Sequence, residues 1–206
     1  PREGDLVLVV GGKTGRDGIG GATFSSAEMT DKTIQVDSQA VQIGNAIEEK
    51  RMADALAEAR DKGYIRALTD CGAAGLSSAI GEIAEDIGVT VNIKDLPVKY
   101  KGLASWEKWL SESQERMVLA VDQTNINEIL KIFQRYNVEA TVLGKFGTTD
   151  GAKKLVVYDG DQKVADLDYD FLKHGLPQRV MKGHFEKPHF DEVVPEMPKD
   201  WVGTLK

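Results

Sequence analysis

Residues 6–10, Leu-Val-Leu-Val-Val, are five apolar residues in succession, and they open directly into "VGGKTGRDGIGGATFSS" (10–26). A strand with no polar alternation is a buried strand. The chain must therefore build a sheet around residues 5–10 and place six glycines at its exit. The following segments supply partners. "AIEEKRMADALAEARDKG" (46–63) has Ile47, Met52, Ala55, Leu56 and Ala59 on or near one helical face, with Gly63 as its C-terminal cap. "YIRALTD" (64–70) reads as a strand and "LSSAIGEIAEDIG" (76–88) as a helix with Ile80, Ile83, Ala84 and Ile87 inward. "VTVNI" (89–93) alternates as a strand does.

"ASWEKWLSESQ" (104–114) reads as a short helix capped by Ser105. Lys108 stands where a capping box needs Glu or Gln, so that box is absent, and Trp106 and Trp109 are expected on one side. A strand at 115–121 and a helix at 124–137 follow, the helix with Ile126, Ile129, Leu130 and Phe133 inward. Segments 138–146, 154–160 and 163–168 read as an antiparallel set, with "DGDQ" as the hairpin turn between the last two. Helices and strands alternate and then strands cluster, which defines an α/β (α+β) fold: a mixed β-sheet flanked by helices. Four of the six prolines lie in the last thirty residues. Residues 1–175 are therefore read as one domain and 176–206 as an extended linker.

Composition narrows the function classes. A net charge of −7 disfavours nucleic acid or an anionic membrane as the main partner. No stretch approaches the length of a membrane span. The single cysteine, Cys71, excludes an internal disulfide and suits a reducing, cytoplasmic setting. It has no histidine near it in sequence, so a small buried thiol is the better reading than a nucleophile. His184 and His189 are five apart and do not share a helical face, which disfavours a metal pair. The chain starts almost at once on a strand and without Met, as an excised piece of a longer protein would.

The glycine segment matches neither standard phosphate motif. Lys13-Thr14 comes too early for a P-loop, and Thr23 stands where a dinucleotide fingerprint needs its third glycine. Physically, glycine-rich backbone can turn its N–H groups into an anion-binding concavity, and Lys13 and Arg16 would add charge. A plain connecting loop fits equally well. Asp70 ends a strand before a glycine-rich turn and a helix, an edge where α/β sheets bind ligands. A lone carboxylate there suits Mg2+, which keeps waters or phosphates as its other ligands; a turn aspartate is the alternative. Glu112, Ser113 and Gln114 crowd a helix–strand junction, as reading an amide or a ribose requires, or as polar helix-end residues do. Gln42, just before a helix, carries the same two readings.

Four segments taken together go further. "VVGGKTGRDGIGGATFSS", "VQIGNAIEEK", "TDCGAAGLSSAIGEIAEDIG" and "WLSESQERMVLAV", in this order, resemble the phosphoribosylformylglycinamidine synthase family, also called formylglycinamide ribonucleotide amidotransferase. The resemblance runs from about residue 5 to the tail. It implies an aminoimidazole ribonucleotide synthetase-like C-terminal domain, the first B unit of a synthetase built from two A-plus-B units, with a linker leading to the second A unit. The reaction implied converts formylglycinamide ribonucleotide to its amidine: ATP activates the amide oxygen, and ammonia from a glutaminase domain or subunit displaces phosphate. Gln42, Glu112, Ser113 and Gln114 correspond to substrate-binding residues, and Asp70 to a Mg2+ ligand near the ATP phosphates. Gly15, Arg16, Asp17 and Gly18 match the family loop and are expected to face ligand. No catalytic residue is expected in this chain, because the family's catalytic histidine and most ATP contacts belong to the preceding A unit. Many family members have Asp-Pro where this chain has Asn45-Ala46, a subfamily variant. A free-standing binding or dimerisation module of the same superfamily is the competing expectation.

Overall fold

The computed structural model describes residues 1–19, 41–148, 150–189, 199 and 203. Residues 20–26 of the glycine segment and Pro195 and Pro198 of the tail lie outside them. The chain divides into two compact units, Pro1–Leu176 and Pro177–Lys206. In the second, residues 177–189 carry no helix or strand and are exposed.

The first unit begins with β1 (Leu6–Gly11), every residue of which is buried. β1 lies between β4 (Arg116–Val121) and β5 (Ala140–Phe146), antiparallel to both. Its apolar continuity follows from two buried faces. Val7 and Val9 join one apolar cluster, with Leu76, Ala79 and Ile80 of α2 (Leu76–Ile83). Leu8 and Val10 join the other, with Met52, Ala55, Leu56 and Ala59 of α1 (Ala46–Asp61) and Ile129, Ile132 and Phe133 of α4 (Ile126–Arg135). Leucine-to-alanine truncation at such a position costs about 2–5 kcal/mol, so Leu8, which is fully buried, anchors its layer.

α1 is capped by Asn45, whose side chain accepts from the Ile47 and Glu48 N–H groups, and it closes before Gly63 at φ +71°. β2 (Ile65–Asp70) pairs with β4. α2 ends at Ile83, earlier than the expected Gly88. The chain tightens there, with the Ile87 and Gly88 N–H groups both donating to Ala84 O. Gly88 sits at φ +77° against the backbone of Ala152 and Lys154, a position with no room for a side chain.

α3 (Ser105–Leu110) corrects two expectations. Its cap is Ala104 rather than Ser105, and Glu107, three residues on, accepts the Ala104 N–H at 2.7 Å, so the carboxylate half of a capping box exists. Trp109 packs on the core while Trp106 is exposed, because a six-residue helix offers the sheet only one narrow stripe.

β3 (Val89–Asn92), β6 (Lys154–Asp159) and β7 (Gln162–Asp168) complete the sheet, in the order β2-β4-β1-β5-β3-β6-β7. β5 and β6 are not neighbours as expected: β3 lies between them, antiparallel to β5 and parallel to β6. The sheet is thereby mixed. The β6–β7 hairpin turns at Gly160, φ +66°, and α5 (Tyr169–His174) follows. Among the described residues no helix is long and apolar enough to cross a membrane.

Candidate functional site

The sheet brings three connections to one end. Gly11 at the exit of β1 is opposite Arg116 at the start of β4, and Asp70 at the exit of β2 is opposite Met117. The glycine loop, the turn after β2 and the string 111–115 therefore meet.

The string alternates like an extended strand. Ser111 and Ser113 are fully buried, whereas Glu112 is half-buried and Gln114 exposed. The outward residues join Gln42. Glu112 Oε2 accepts from Gln42 Nε2 at 2.6 Å, and Glu112 Oε1 accepts from the Ala74 N–H at 3.1 Å. Gln114 Nε2 donates to Gln42 Oε1 at 2.9 Å and to Glu112 O at 3.2 Å. An ionised carboxylate only accepts, so Glu112 fixes which end of the Gln42 amide faces it, and Gln42 in turn orients Gln114. Among the described residues, Gln114 Oε1 and the second Gln42 N–H have no further partner, which leaves one acceptor and one donor. Gly18, φ +67°, crosses directly over it: a Cβ there would lie 2.4 Å from Glu112 Oε2 and 2.6 Å from Gln42 Nε2.

The inward residues form a buried polar network. Ser113 Oγ accepts the Gly15 N–H at 2.8 Å and donates to the buried Asp17 carboxylate. Lys99 Nζ reaches both Asp17 oxygens, at 2.8 and 2.9 Å. Arg116, 3% exposed, donates from Nε to Ser113 O at 2.9 Å, from Nη1 to Thr14 Oγ1 at 2.9 Å, and from Nη2 to Ser111 O. Burial pulls its guanidinium below the ordinary arginine value. Ser113 thus faces the interior, apart from Gln42, Glu112 and Gln114.

Over residues 11–16 of the glycine loop the backbone N–H groups are largely spent within the chain. The N–H groups of Gly11, Gly12, Thr14, Gly15 and Arg16 are taken by Glu139 O, Glu115 O, Pro97 O, Ser113 Oγ and Tyr100 Oη. Its cations are also engaged. Arg16 binds Glu107 through Nε at 2.6 Å and lies over the Tyr100 ring, 5.5 Å from the centroid. That bond raises the Arg16 pKa and holds the Glu107 carboxyl below its ordinary value. Lys13 is 3.3 Å from Glu139. The glycines are needed for close approach instead: a Cβ at Gly11, φ +102°, would lie 2.0 Å from Glu115 O.

Asp70 is exposed at the end of β2, with Oδ2 3.1 Å from where a Gly72 Cβ would sit. It shares with Glu112 the 72–74 turn but makes no hydrogen bond or ion pair among the described residues. The described residues hold no group of three His, Cys, Asp or Glu able to bind a metal. Cys71 is buried, and desolvation pushes its thiol up to about 11, an inert rather than nucleophilic state.

Sequence reading missed Lys99, Tyr100, Glu107 and Arg116. Arg116 stood in the quoted string without a role; Lys99 and Tyr100 carry no local signal, and the contact of Glu107 with Arg16 carries none either, because these loop partners are more than eighty residues away.

This sheet order and loop convergence define a domain class. Residues 2–156 match the family described as AIR synthase related protein, C-terminal domain, and the chain belongs to it. Within that class the chain is 41% identical over 207 residues to phosphoribosylformylglycinamidine synthase subunit PurL of Methanopyrus kandleri, a match covering 99% of this chain and 28% of that protein. Structures of PurL from T. maritima share the fold. The one complexed with FGAR has a TM-score of 0.77 at 25% identity, covering 94% of this chain and 32% of that one. The one complexed with ATP has a TM-score of 0.71 at 23% identity, covering 94% and 30%. The chain thus spans between a quarter and a third of the length of these proteins.

Proposed function

We propose that this chain is the first B unit of the synthetase subunit of a phosphoribosylformylglycinamidine synthase, the ATP-dependent ligase of purine biosynthesis. The enzyme converts formylglycinamide ribonucleotide and glutamine-derived ammonia to formylglycinamidine ribonucleotide. The reading rests on one observation above others: Gln42 joins Glu112 and Gln114, about seventy residues away in sequence, in a single hydrogen-bonded face. The donor left on Gln42 and the acceptor left on Gln114 complement the C=O and N–H of a carboxamide, the group that reacts in this chemistry. The face is solvent-exposed, where hydrogen bonds contribute little net free energy. It binds effectively when a neighbouring A unit covers it and excludes water.

On this reading Gln42, Glu112 and Gln114 hold and orient the formylglycinamide group, so that its amide oxygen is presented to ATP and its carbon to ammonia. Asp70 is this chain's ligand to Mg2+, which supplies charge neutralisation at the polyphosphate. Ser113 contributes by supporting the face from beneath rather than by touching ligand. Gly18 is the loop residue at the face; Gly15, Arg16 and Asp17 hold the loop down. The proton-transferring histidine and most ATP contacts come from the A unit, ammonia from a glutaminase partner, and the whole works in the cytoplasm.

The test is amidine formation by the intact synthetase. Glu112→Ala lowers kcat/KM for formylglycinamide ribonucleotide by about a hundredfold or more. Asp70→Asn raises the Mg2+ concentration needed for half-maximal rate. The 206-residue chain given substrate, ATP and ammonia forms no amidine, and turnover by it alone contradicts the proposal.

A further inference from the structure

We infer that Arg116 is the positioning residue of this site: its buried guanidinium fork pins the string and the glycine loop together so that Glu112 and Gln114 present outward. The inference rests on the reading of the Gln42, Glu112 and Gln114 face as the substrate face.

Three hydrogen bonds carry the argument. Nε and Nη2 donate to the carbonyls of Ser113 and Ser111, and Nη1 to the Thr14 hydroxyl. Binding alternate carbonyls of an extended segment fixes its twist, and with it the direction of the intervening side chains. The side chain between the two carbonyls is that of Glu112, and Gln114 follows directly on the second of them. The third bond ties the same group to the loop that ends at Gly18 over the face. Ser113 passes the restraint on, accepting from Gly15 and donating to Asp17.

A buried cation is costly, and hydrocarbon could fill the volume without that cost. Among the described residues no carboxylate hydrogen-bonds to Arg116; Asp17, linked to it through Ser113, acts on it as a nearby charge. Its charge is retained beside two carbonyls and a hydroxyl, a set that only a planar fork can serve at once. Lysine concentrates its donors at one point and cannot. The string is also held under strain. Glu115, between the face and Arg116, adopts φ +53° without being glycine, a conformation costing roughly 1–2 kcal/mol. A restraint on each side of that residue is what maintains it: Gly12 N–H on Glu115 O, and the Arg116 fork.

The test compares Arg116→Lys and Gln114→Ala in the intact synthetase, with amide exchange measured alongside kinetics. Arg116→Lys is expected to raise KM for formylglycinamide ribonucleotide about tenfold with KM for ATP within about twofold. Exchange quickens in residues 12–18 and 111–115 and stays unchanged in β1 and α1. An unchanged substrate KM overturns the inference, whether or not exchange quickens; so does a raised KM without faster exchange, which would make Arg116 a direct contact. If Arg116→Lys does not fold, Thr14→Val removes one of the three bonds while keeping shape. It should raise the substrate KM about threefold with the same exchange pattern, and no change overturns the inference. Gln114→Ala separates the two readings. If it leaves the substrate KM unchanged, the face itself is misread and the inference falls with it. If it raises KM while Arg116→Lys does not, only the positioning role fails.

Discussion

Glu112 and Gln114 on one side of the string, and Ser111, Ser113 and Arg116 on the other, are neighbours in sequence with opposite environments. The inner set is buried, and each polar atom named there is paired within the chain. The outer set is half-buried or exposed and keeps hydrogen-bonding capacity unspent. Polar groups sealed from water are costly to leave unpaired, so the inner residues hold the string in place and touch no ligand themselves. The outer ones cost little in either state and are available to a ligand. A motif that reads as one functional string is therefore two structures interleaved at a period of two over residues 111–114, and the left-handed Glu115 then shifts the phase so that Arg116 joins the inner set.

The largest expected effect breaks the inner side. Asp17→Ala removes the acceptor of Lys99 and Ser113 and leaves the buried Arg116 charge without its nearest counter-charge. Losing one partner of a buried pair costs several kcal/mol; with Lys99 partly exposed, about 3 kcal/mol is expected. In a chain of this size that lowers the thermal midpoint by roughly 6–12 °C, readable by calorimetry. A shift below about 2 °C would put Asp17 with the outer set.

A smaller effect falls on both sides. Gly18→Ala meets a left-handed φ and a clash with Glu112 and Gln42, and should cost about 1–2 kcal/mol in stability. It should also weaken substrate binding in the intact synthetase, because it moves the face. Loss of stability with unchanged binding would uncouple the loop from the face.

The smallest effect uses an exposed ion pair as the control for the buried one. Hydrogen bonds from Lys62 and then Arg135 lower the Glu58 carboxyl from 4.5 to about 2. A depressed carboxyl contributes stability above its unfolded pKa and loses it as pH falls through the folded value. The midpoint difference between the parent chain and Glu58→Gln should therefore be small at pH 6 and vanish between pH 4.5 and about 2. A difference as large as that of Asp17→Ala would remove the contrast between exposed and buried pairs.

How much of this was legible in sequence depends on how local each cause is. The five apolar residues of β1 state two buried faces, and the α1 periodicity picks out Met52, Ala55, Leu56 and Ala59, all buried, but also Ile47, which lies exposed in the first turn of the helix. The insertion of β3 between β5 and β6 is not written in any one segment, since pairing of strands more than sixty residues apart depends on what else fills the sheet. The α3 cap was misplaced by one residue because Ser105 is the better intrinsic cap, whereas Glu107 binds the Ala104 N–H. The first part of the glycine segment shows the same dependence on distant partners. Its composition permits an anion cradle, but Pro97, Ser113 and Tyr100 take the N–H groups of Thr14, Gly15 and Arg16, and nothing in residues 10–19 announces them. Resemblance brought Gln42, Glu112 and Gln114 together on paper; only the structure separates Ser113 from them.

The most direct measurement is the pair of KM values of Gln114→Ala in the intact synthetase, for formylglycinamide ribonucleotide and for ATP, beside its thermal midpoint. The residue is exposed, so the midpoint should move by less than the equivalent of about 0.5 kcal/mol. KM for formylglycinamide ribonucleotide should rise about tenfold and KM for ATP stay within about twofold. Equal KM values for formylglycinamide ribonucleotide in parent and variant would contradict the account.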